Sequence, residues 1–120
     1  MQGSALLDNW QAQVRKGWLE VAALTILWKA PMYGLEIIRE LETRSDLVVA
    51  EGTVYPVLSR LRTEGALHAE WVESELGHPR KYYSLTPAGR KRAILLANQS
   101  REFLETMLAL LKTFEEGRRT

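Results

Sequence analysis

Apolar residues in the first third of the chain recur at spacings of three and four, which is the period of an α-helix. The main stripe consists of Trp10, Val14, Trp18, Val21, Ala22, Thr25 and Trp28. A second apolar set lies on a different side of the same helix and consists of Leu19, Ala23, Ile26 and Leu27. A helix that is apolar on two sides needs cover on both. We therefore predict a helix from Trp10 to Pro31, continuous or divided at Gly17, that packs against its own domain and against a second subunit.

Two shorter helices are predicted next. The first covers residues 33–44, and its expected buried row is Leu35, Ile38 and Leu41. The second runs from Thr53 to Glu64 and ends at Gly65, a residue type that readily adopts the left-handed conformation after a helix. Because Pro56 lacks an amide hydrogen, it fits best in the first turn, so Thr53 or the residue just before it is the expected N-cap.

The period then changes from helical to alternating. Leu67, Ala69 and Trp71 alternate with more polar neighbours, and Tyr83 and Leu85 do the same further along. Between these two segments lies the stretch Ser74–Lys81, in which Gly77 and Pro79 indicate a turn. The pattern predicts a β-hairpin with a basic tip, and it makes Trp71, Tyr82 and Tyr83 packing residues rather than base-stacking ones.

A long helix follows the hairpin. Thr86 and Pro87 have the residue types expected of an N-cap and a first helical residue, and the apolar pattern continues to about Glu116. At about 1.5 Å per residue this helix is on the order of 43 Å long, more than the preceding 86 residues can cover. Its outer half is therefore predicted to dimerise through Leu104, Met107, Leu108 and Leu111.

Composition narrows the class of protein. The chain has 120 residues, of which 46% are hydrophobic and 26% charged, as in a globular protein, and it has no cysteine, which excludes thiolate zinc sites. Two histidines without a suitable carboxylate cluster predict no metal. The sequence shows no nucleophile with an adjacent base and no phosphate-binding glycine loop, so we expect neither an enzyme nor a cofactor. The longest apolar run, Val21–Trp28, is too short to span a membrane, and no leader is recognisable, so a cytoplasmic location is expected.

The charges are unevenly distributed even though the formal net charge is only +1. Residues 78–92 contain five basic side chains and no acid, whereas the charged residues of 102–116 are four glutamates and one lysine. At 100° per residue, the apolar residues of the third helix, Val54, Val57, Leu58 and Leu61, occupy one sector. The opposite face is small, hydroxyl-bearing and basic and consists of Gly52, Thr53, Pro56, Ser59, Arg60 and Thr63, with Tyr55 and Arg62 on its flanks. Such a face can approach a DNA groove closely.

Three helices followed by a hairpin is the element order of a winged helix-turn-helix, an α+β fold that is mostly α. We predict a DNA-binding domain over residues 1–86 and a dimerisation helix over residues 87–120. The rival interpretation is a dimeric module that binds no DNA.

Three ordered segments carry a family resemblance: residues 33–37 (YGLEI), 51–61 (EGTVYPVLSRL) and 77–89 (GHPRKYYSLTPAG). Together they resemble the PadR family of bacterial transcriptional regulators, in its short form with one C-terminal dimerisation helix. The resemblance implies a homodimeric transcriptional repressor. Because its two recognition helices would be related by symmetry, we expect it to bind an inverted-repeat operator in double-stranded DNA. It puts Tyr33 near phosphate, Thr53, Tyr55, Ser59 and Arg60 on the recognition helix, and Arg80 and Lys81 in the wing.

Regulation by a small molecule is a further expectation from the resemblance, because family members often release DNA when they bind one. The leading helix is then expected to lie beside the partner's last helix and to form a cleft for a small aromatic or lipophilic effector through Trp10, Val14 and Trp18. A constitutive repressor without an effector is the alternative.

Overall fold

The computed structural model describes residues 2–44 and 51–119. Within these ranges the elements are α1 (Gln2–Ile26), β1 (Met32–Tyr33), α2 (Gly34–Glu42), α3 (Glu51–Thr63), β2 (Leu67–Val72), β3 (Arg80–Leu85) and α4 (Pro87–Arg118). Helices dominate, and the small antiparallel sheet has the strand order β1-β3-β2. The predicted mostly helical winged helix-turn-helix is confirmed. None of the helices in the described ranges is long and apolar enough to cross a membrane.

The hydrophobic core lies where α1, α2 and α3 meet the sheet and the first turns of α4. Its buried members are Leu19, Ala23, Leu24, Leu27, Ile37, Ile38, Leu41, Val54, Leu58, Leu61, Ala66, Leu67, Tyr83 and Ala93. The two predicted helical stripes that contain Leu19 and Leu58 therefore both reach the core. Packing of this kind fixes the three helices relative to the hairpin.

Helix α1 is longer at its start and shorter at its end than predicted. It begins at Gln2 rather than Trp10, runs without a break through Gly17 and ends at Ile26, before Pro31. A Cβ atom added at Gly17 would meet nothing within 4 Å, so no close packing requires a glycine at this position. At the other end Trp28 N donates to Thr25 O, an i→i−3 bond that tightens the last turn and ends the helix.

Helix α2 buries a different row from the predicted one. Its buried residues are Gly34, Ile37, Ile38 and Leu41, whereas Leu35 is 39% exposed. The observed row has the i, i+3, i+4, i+7 spacing of one helical face, and Leu35 lies off that face. The prediction of Leu35 as a core residue is wrong.

Helix α3 begins at Glu51, so Pro56 lies inside the helix and neither Thr53 nor Gly52 is its N-cap. Proline there loses one backbone hydrogen bond, the one to the carbonyl of Gly52. Three fully buried side chains, Val54, Leu58 and Leu61, hold the helix in place despite that loss. Gly65 has the predicted left-handed conformation, with φ of 82°.

The wing, which we define as β2, β3 and the turn between them, differs from its prediction in two respects. Strand β3 begins at Arg80, so Arg80 and Lys81 lie in the strand, and the predicted basic tip is wrong. Trp71 is 67% exposed because β2 leaves the core as it runs from buried Leu67 to exposed Val72. The packing role predicted for Trp71 is therefore wrong, while Tyr83 is buried as expected.

Helix α4 starts as predicted. Thr86 is the N-cap, its Oγ1 accepts a hydrogen bond from Gly89 N at 3.0 Å, and Pro87 occupies the first turn. A Cβ atom at Gly89 would lie 2.9 Å from the carbonyl carbon of Ala66, so glycine allows this close approach. Beyond Ser100 nearly all described side chains of α4 are exposed.

Candidate nucleic-acid interface

The exposed face of α3 has the composition that its sequence indicates. Val54, Leu58 and Leu61 are buried, and Val57 is half-buried. Exposed on the rest of the helix are Gly52, Thr53, Tyr55, Pro56, Ser59, Arg60, Arg62 and Thr63. This face presents hydroxyl groups and cations with few large apolar groups, so it can donate and accept hydrogen bonds at base edges.

One flank of α3 is fixed by contact between Tyr55 and the start of α2. A Cβ atom added at Gly34 would lie 2.7 Å from the hydroxyl oxygen of Tyr55. Only glycine allows the Tyr55 ring to lie against the α2 backbone in this way. The contact adds to the buried Val54, Leu58 and Leu61 in fixing the orientation of α3 relative to α2.

Tyr33 is held at the N-terminus of α2. Its backbone N–H donates to Oε1 of Glu36 at 3.1 Å, which satisfies a group at the helix start. The Tyr33 ring meets Tyr82 edge to face, with centroids 5.6 Å apart. The guanidinium carbon of Arg80 lies 4.5 Å from the centroid of the Tyr33 ring, a cation–π contact that holds Arg80 beside α2.

Lys81 follows Arg80 in β3, so its side chain leaves the opposite face of the strand, but both residues line the same groove. Its Nζ is 5.8 Å from the ring centroids of both Trp71 and Tyr83. Burial raises the pKa of Tyr83, so its phenol stays protonated and neutral near physiological pH. The Lys81 ammonium therefore contacts two neutral aromatic rings, which do not cancel its positive charge as a carboxylate would.

These side chains surround a groove of about 510 Å³ between α2, α3 and the wing. Its lining residues are Tyr33, Gly34, Leu35, Arg39, Tyr55, Trp71, Arg80, Lys81 and Tyr83. Three of them are cations, and none is an acid. We call this feature the basic groove; its charge suits the negatively charged sugar–phosphate backbone of a nucleic acid.

Arg39 and Trp71 are lining residues that sequence reasoning missed. Arg39 follows Leu35 by one helical turn, so the two share the face of α2 that the structure exposes. The i, i+4 spacing predicts that Arg39 is exposed if Leu35 is exposed, so the wrong assignment of Leu35 to the core also hid Arg39. The exposure of Trp71 is not predictable from spacing. A strand of alternating apolar and polar residues has the same sequence pattern whether its apolar side is buried or exposed.

Arg60 lies apart from the basic groove. It follows Tyr55 by five residues, about 140° around the helix, and faces α1 and α4. Its Nη2 is 2.7 Å from Oε1 of Glu20, and its Nη1 is 3.2 Å from Oε1 of Glu64. The hydrogen bond to Glu20 raises the pKa of Arg60, so this guanidinium is permanently charged and already paired.

The predicted dimerisation residues form an exposed apolar surface on this single chain. Leu104, Met107, Leu108 and Leu111 are all exposed, and so are Trp10 and Val14, whereas Trp18 is half-buried. The three predicted effector residues do not line the cavity of about 560 Å³ between α1, α2 and α4. That cavity is instead bordered by Trp28, whose ring lies 4.8 Å from the guanidinium carbon of Arg90.

Comparison with known proteins identifies the family. Residues 23–94 match the family described as Transcriptional regulator PadR-like family. The chain resembles the crystal structure of a PadR-like transcription factor from Bacteroides fragilis, with 42% sequence identity, a TM-score of 0.69, and coverage of 85% of this chain and 98% of that one. It also resembles a PadR family transcriptional regulator from Eggerthella lenta, with 26% identity, a TM-score of 0.81, and coverage of 92% and 96%. The chain therefore belongs to the PadR-like family of transcriptional regulators.

A third solved structure shares the fold at lower identity. This is PadR from Bacillus subtilis in complex with operator DNA, which is 22% identical with a TM-score of 0.62. The match covers 66% of this chain and 46% of that one. At this identity the similarity shows the shared winged fold alone.

Proposed function

We propose that this transcriptional regulator is a dimeric repressor that binds an inverted-repeat operator through α3 and the wing. The observation that carries the proposal is the basic groove, which places Arg39, Arg80 and Lys81 beside the exposed face of α3 with no carboxylate in its lining. A cationic groove next to a small polar helix face suits a DNA backbone next to its major groove. In this proposal residues 1–86 bind DNA and residues 87–120 join two copies.

The DNA contacts divide into two kinds. Arg80, Lys81 and Tyr33 bind phosphates beside the groove, and Arg39 and Trp71 extend that contact. Thr53, Tyr55, Ser59 and Arg60 contact base edges or the adjacent backbone from α3. The complex of Bacillus subtilis PadR with operator DNA supports this use of the fold.

Dimerisation follows from the exposed apolar side chains of α4. Single exposed apolar residues are normal at a protein surface, but these side chains form one exposed apolar surface, which is typical of an interaction site. Its members include Leu104, Met107, Leu108 and Leu111. A second copy brings a second recognition helix, and two symmetric helices read two symmetric half-sites. The inverted repeat is a consequence of this symmetry.

The test is the salt dependence of DNA binding. Arg80→Ala and Lys81→Ala should weaken binding to all duplexes and reduce the slope of log affinity against log salt by about 1 for each phosphate that is no longer neutralised. Ser59→Ala should instead reduce discrimination between the operator and a mutated operator. Arg119→Ala, which removes a cation far from the basic groove, is the control. A parental protein with no salt-dependent affinity for any duplex would support the rival dimeric module that binds no DNA.

Release by a small planar aromatic or lipophilic effector is part of the proposal. Trp10 and Val14 are exposed on α1, and Trp18, one turn further along, is half-buried. These side chains support the proposal that an aromatic-lined cleft forms when a partner subunit covers α1. Such a ligand should quench tryptophan fluorescence and lower operator affinity, and Trp10→Ala should abolish both effects. Trp28→Ala, in the separate cavity, is the control. A broad aromatic screen that changes neither signal would favour a constitutive repressor.

A further inference from the structure

Four charged side chains form a closed ring that joins three helices. Glu20 on α1 accepts from Arg60 on α3 at 2.7 Å and from Nη2 of Arg92 on α4 at 2.9 Å. Glu64, just after α3, lies 3.2 Å from Nη1 of Arg60 and 2.8 Å from Nη1 of Arg92. Each carboxylate thus contacts both guanidinium groups, and we call this the ion-pair ring.

The ion-pair ring cancels the positive charge of α3 at the position of Arg60. Two carboxylates and two guanidinium groups sum to zero, whereas the basic groove on the opposite flank contains no acid in its lining. The Arg60 side chain is nevertheless 46% exposed, and the exposed Ser59 precedes it on α3. Its guanidinium is therefore partly open to solvent although it is already bonded to carboxylates.

The ring is held from the inside of the molecule. The Glu20 side chain is only 18% exposed, and its Oε2 also accepts from Nε of Arg92 at 3.0 Å. The hydrogen bond from Arg92 holds the pKa of Glu64 below its usual value, so the Glu64 carboxylate remains ionised near neutral pH. A DNA phosphate that binds Arg60 must replace its charge-assisted hydrogen bonds to Glu20 and Glu64, whose geometry is already fixed.

We infer that Glu20 and Glu64 are positioning residues that compete with DNA phosphate for Arg60 and thereby lower the affinity for non-specific DNA. The inference rests on the proposed DNA binding. Non-specific binding depends on phosphate contacts alone, so it bears the cost of taking Arg60 out of the ring, whereas the operator complex is also held by base contacts that do not require the ring to open. Because specificity is a difference of affinities, the ring increases the ratio of operator to non-specific binding.

The experiment is a double-mutant cycle read out on DNA. Operator and random duplex are titrated with the parental protein, Glu64→Gln, Arg60→Ala and the double variant at several salt concentrations. Glu64→Gln should raise the affinity for random duplex by about fivefold, within the coupling expected of one salt-bridge network. It should steepen the salt slope by about 1 for each Arg60 released. In the Arg60→Ala background both gains should disappear.

Two further variants make the result specific to the ring. Glu20→Gln opens the ring from α1 and should also raise affinity for random duplex, which guards against a folding defect in one variant. Glu70→Gln removes an exposed carboxylate from β2, outside the ring, and is the control for a general change in charge. Its effect should be the same with and without Arg60.

The outcomes separate this inference from the proposed function. If the parental protein binds no duplex, the proposed function is wrong and the inference with it. If the parental protein binds DNA but the gain from Glu64→Gln is equally large in the Arg60→Ala background, only the inference is overturned. A fall in affinity in both Glu64→Gln and Glu20→Gln, in folded protein, would also overturn it.

Discussion

The two halves of α4 differ in how they use their side chains. The inner half buries small residues, Gly89 and Ala93, against Ala66 and the core. The outer half exposes large apolar ones, among them Phe103, Leu104, Met107, Leu108, Leu110, Leu111 and Phe114. One continuous helix thus packs closely within its own chain at one end and presents apolar surface at the other.

This difference separates two tasks along a single helix. Close packing through small residues fixes the start of α4 against the wing, because Thr86 also bonds to the carbonyls of Gly65 and Ala66. Large exposed side chains stabilise nothing within the described chain, so their stabilising effect depends on burial against another surface. Changes in the inner half should therefore affect folding, and changes in the outer half should affect assembly.

The largest expected effect is from a charge in the outer half. Leu108→Asp should abolish the dimer and with it operator binding, because a carboxylate buried between two helices has no partner there. Thr106→Asp, about 160° away around α4, should keep the dimer. Light scattering gives the mass, and a well-folded dimer of Leu108→Asp would show that the outer half is not the interface.

Two glycines of α4 test the inner half. Gly89→Ala should lower the free energy of unfolding by about 1–3 kcal/mol, because the new Cβ collides with the Ala66 backbone. Gly117→Ala should leave it nearly unchanged, since a Cβ there meets nothing within 4 Å. Chemical denaturation of both variants measures the difference, and equal stabilities would mean that close packing at Gly89 does not matter.

A third substitution separates the orientation of α3 from the assembly through α4. Gly34→Ala should displace Tyr55 and weaken operator binding by about 1–3 kcal/mol, comparable to the removal of a base contact. The dimer should persist, because the outer half of α4 is unchanged. Operator affinity and mass measured on one sample check both statements; unchanged affinity would show that the Tyr55 contact does not orient α3.

The smallest expected effect is the dependence of stability on pH. The pKa of Glu64 is lowered in the folded protein, so its contribution is present above the unfolded-state pKa and is lost as pH falls through the folded-state value. Solvent screening at this exposed site keeps the contribution small. Thermal unfolding between pH 7 and pH 3 should show a smaller decline in Glu64→Gln than in the parental protein, and identical declines would contradict this.

Local signals predict much of the fold. The Thr86 cap with Pro87 after it, the left-handed Gly65 and the alternation from Leu67 onward depend on neighbours in sequence. For the same reason the apolar sector of α3 is predictable from its own spacing. These features fix the element order, and the element order fixes the class of fold.

Features that depend on distant neighbours are not predictable in this way. The pairing of Arg60 with Glu20 joins residues forty positions apart, so in the sequence Arg60 looks like an unpaired cation on α3. Strand β1 has two residues and exists only through its pairing with β3. The exposure of Trp71 likewise depends on where the core ends and not on its own strand.

We propose that two copies of this chain bind DNA symmetrically through α3 and the wing. Selection of duplexes from a random pool by the purified protein, followed by sequencing, tests it most directly. We predict enrichment of an inverted repeat whose half-sites are about one helical turn apart, near 34 Å. Enrichment of a single asymmetric site would contradict the dimeric reading, and no enrichment over the starting pool would contradict sequence-specific binding.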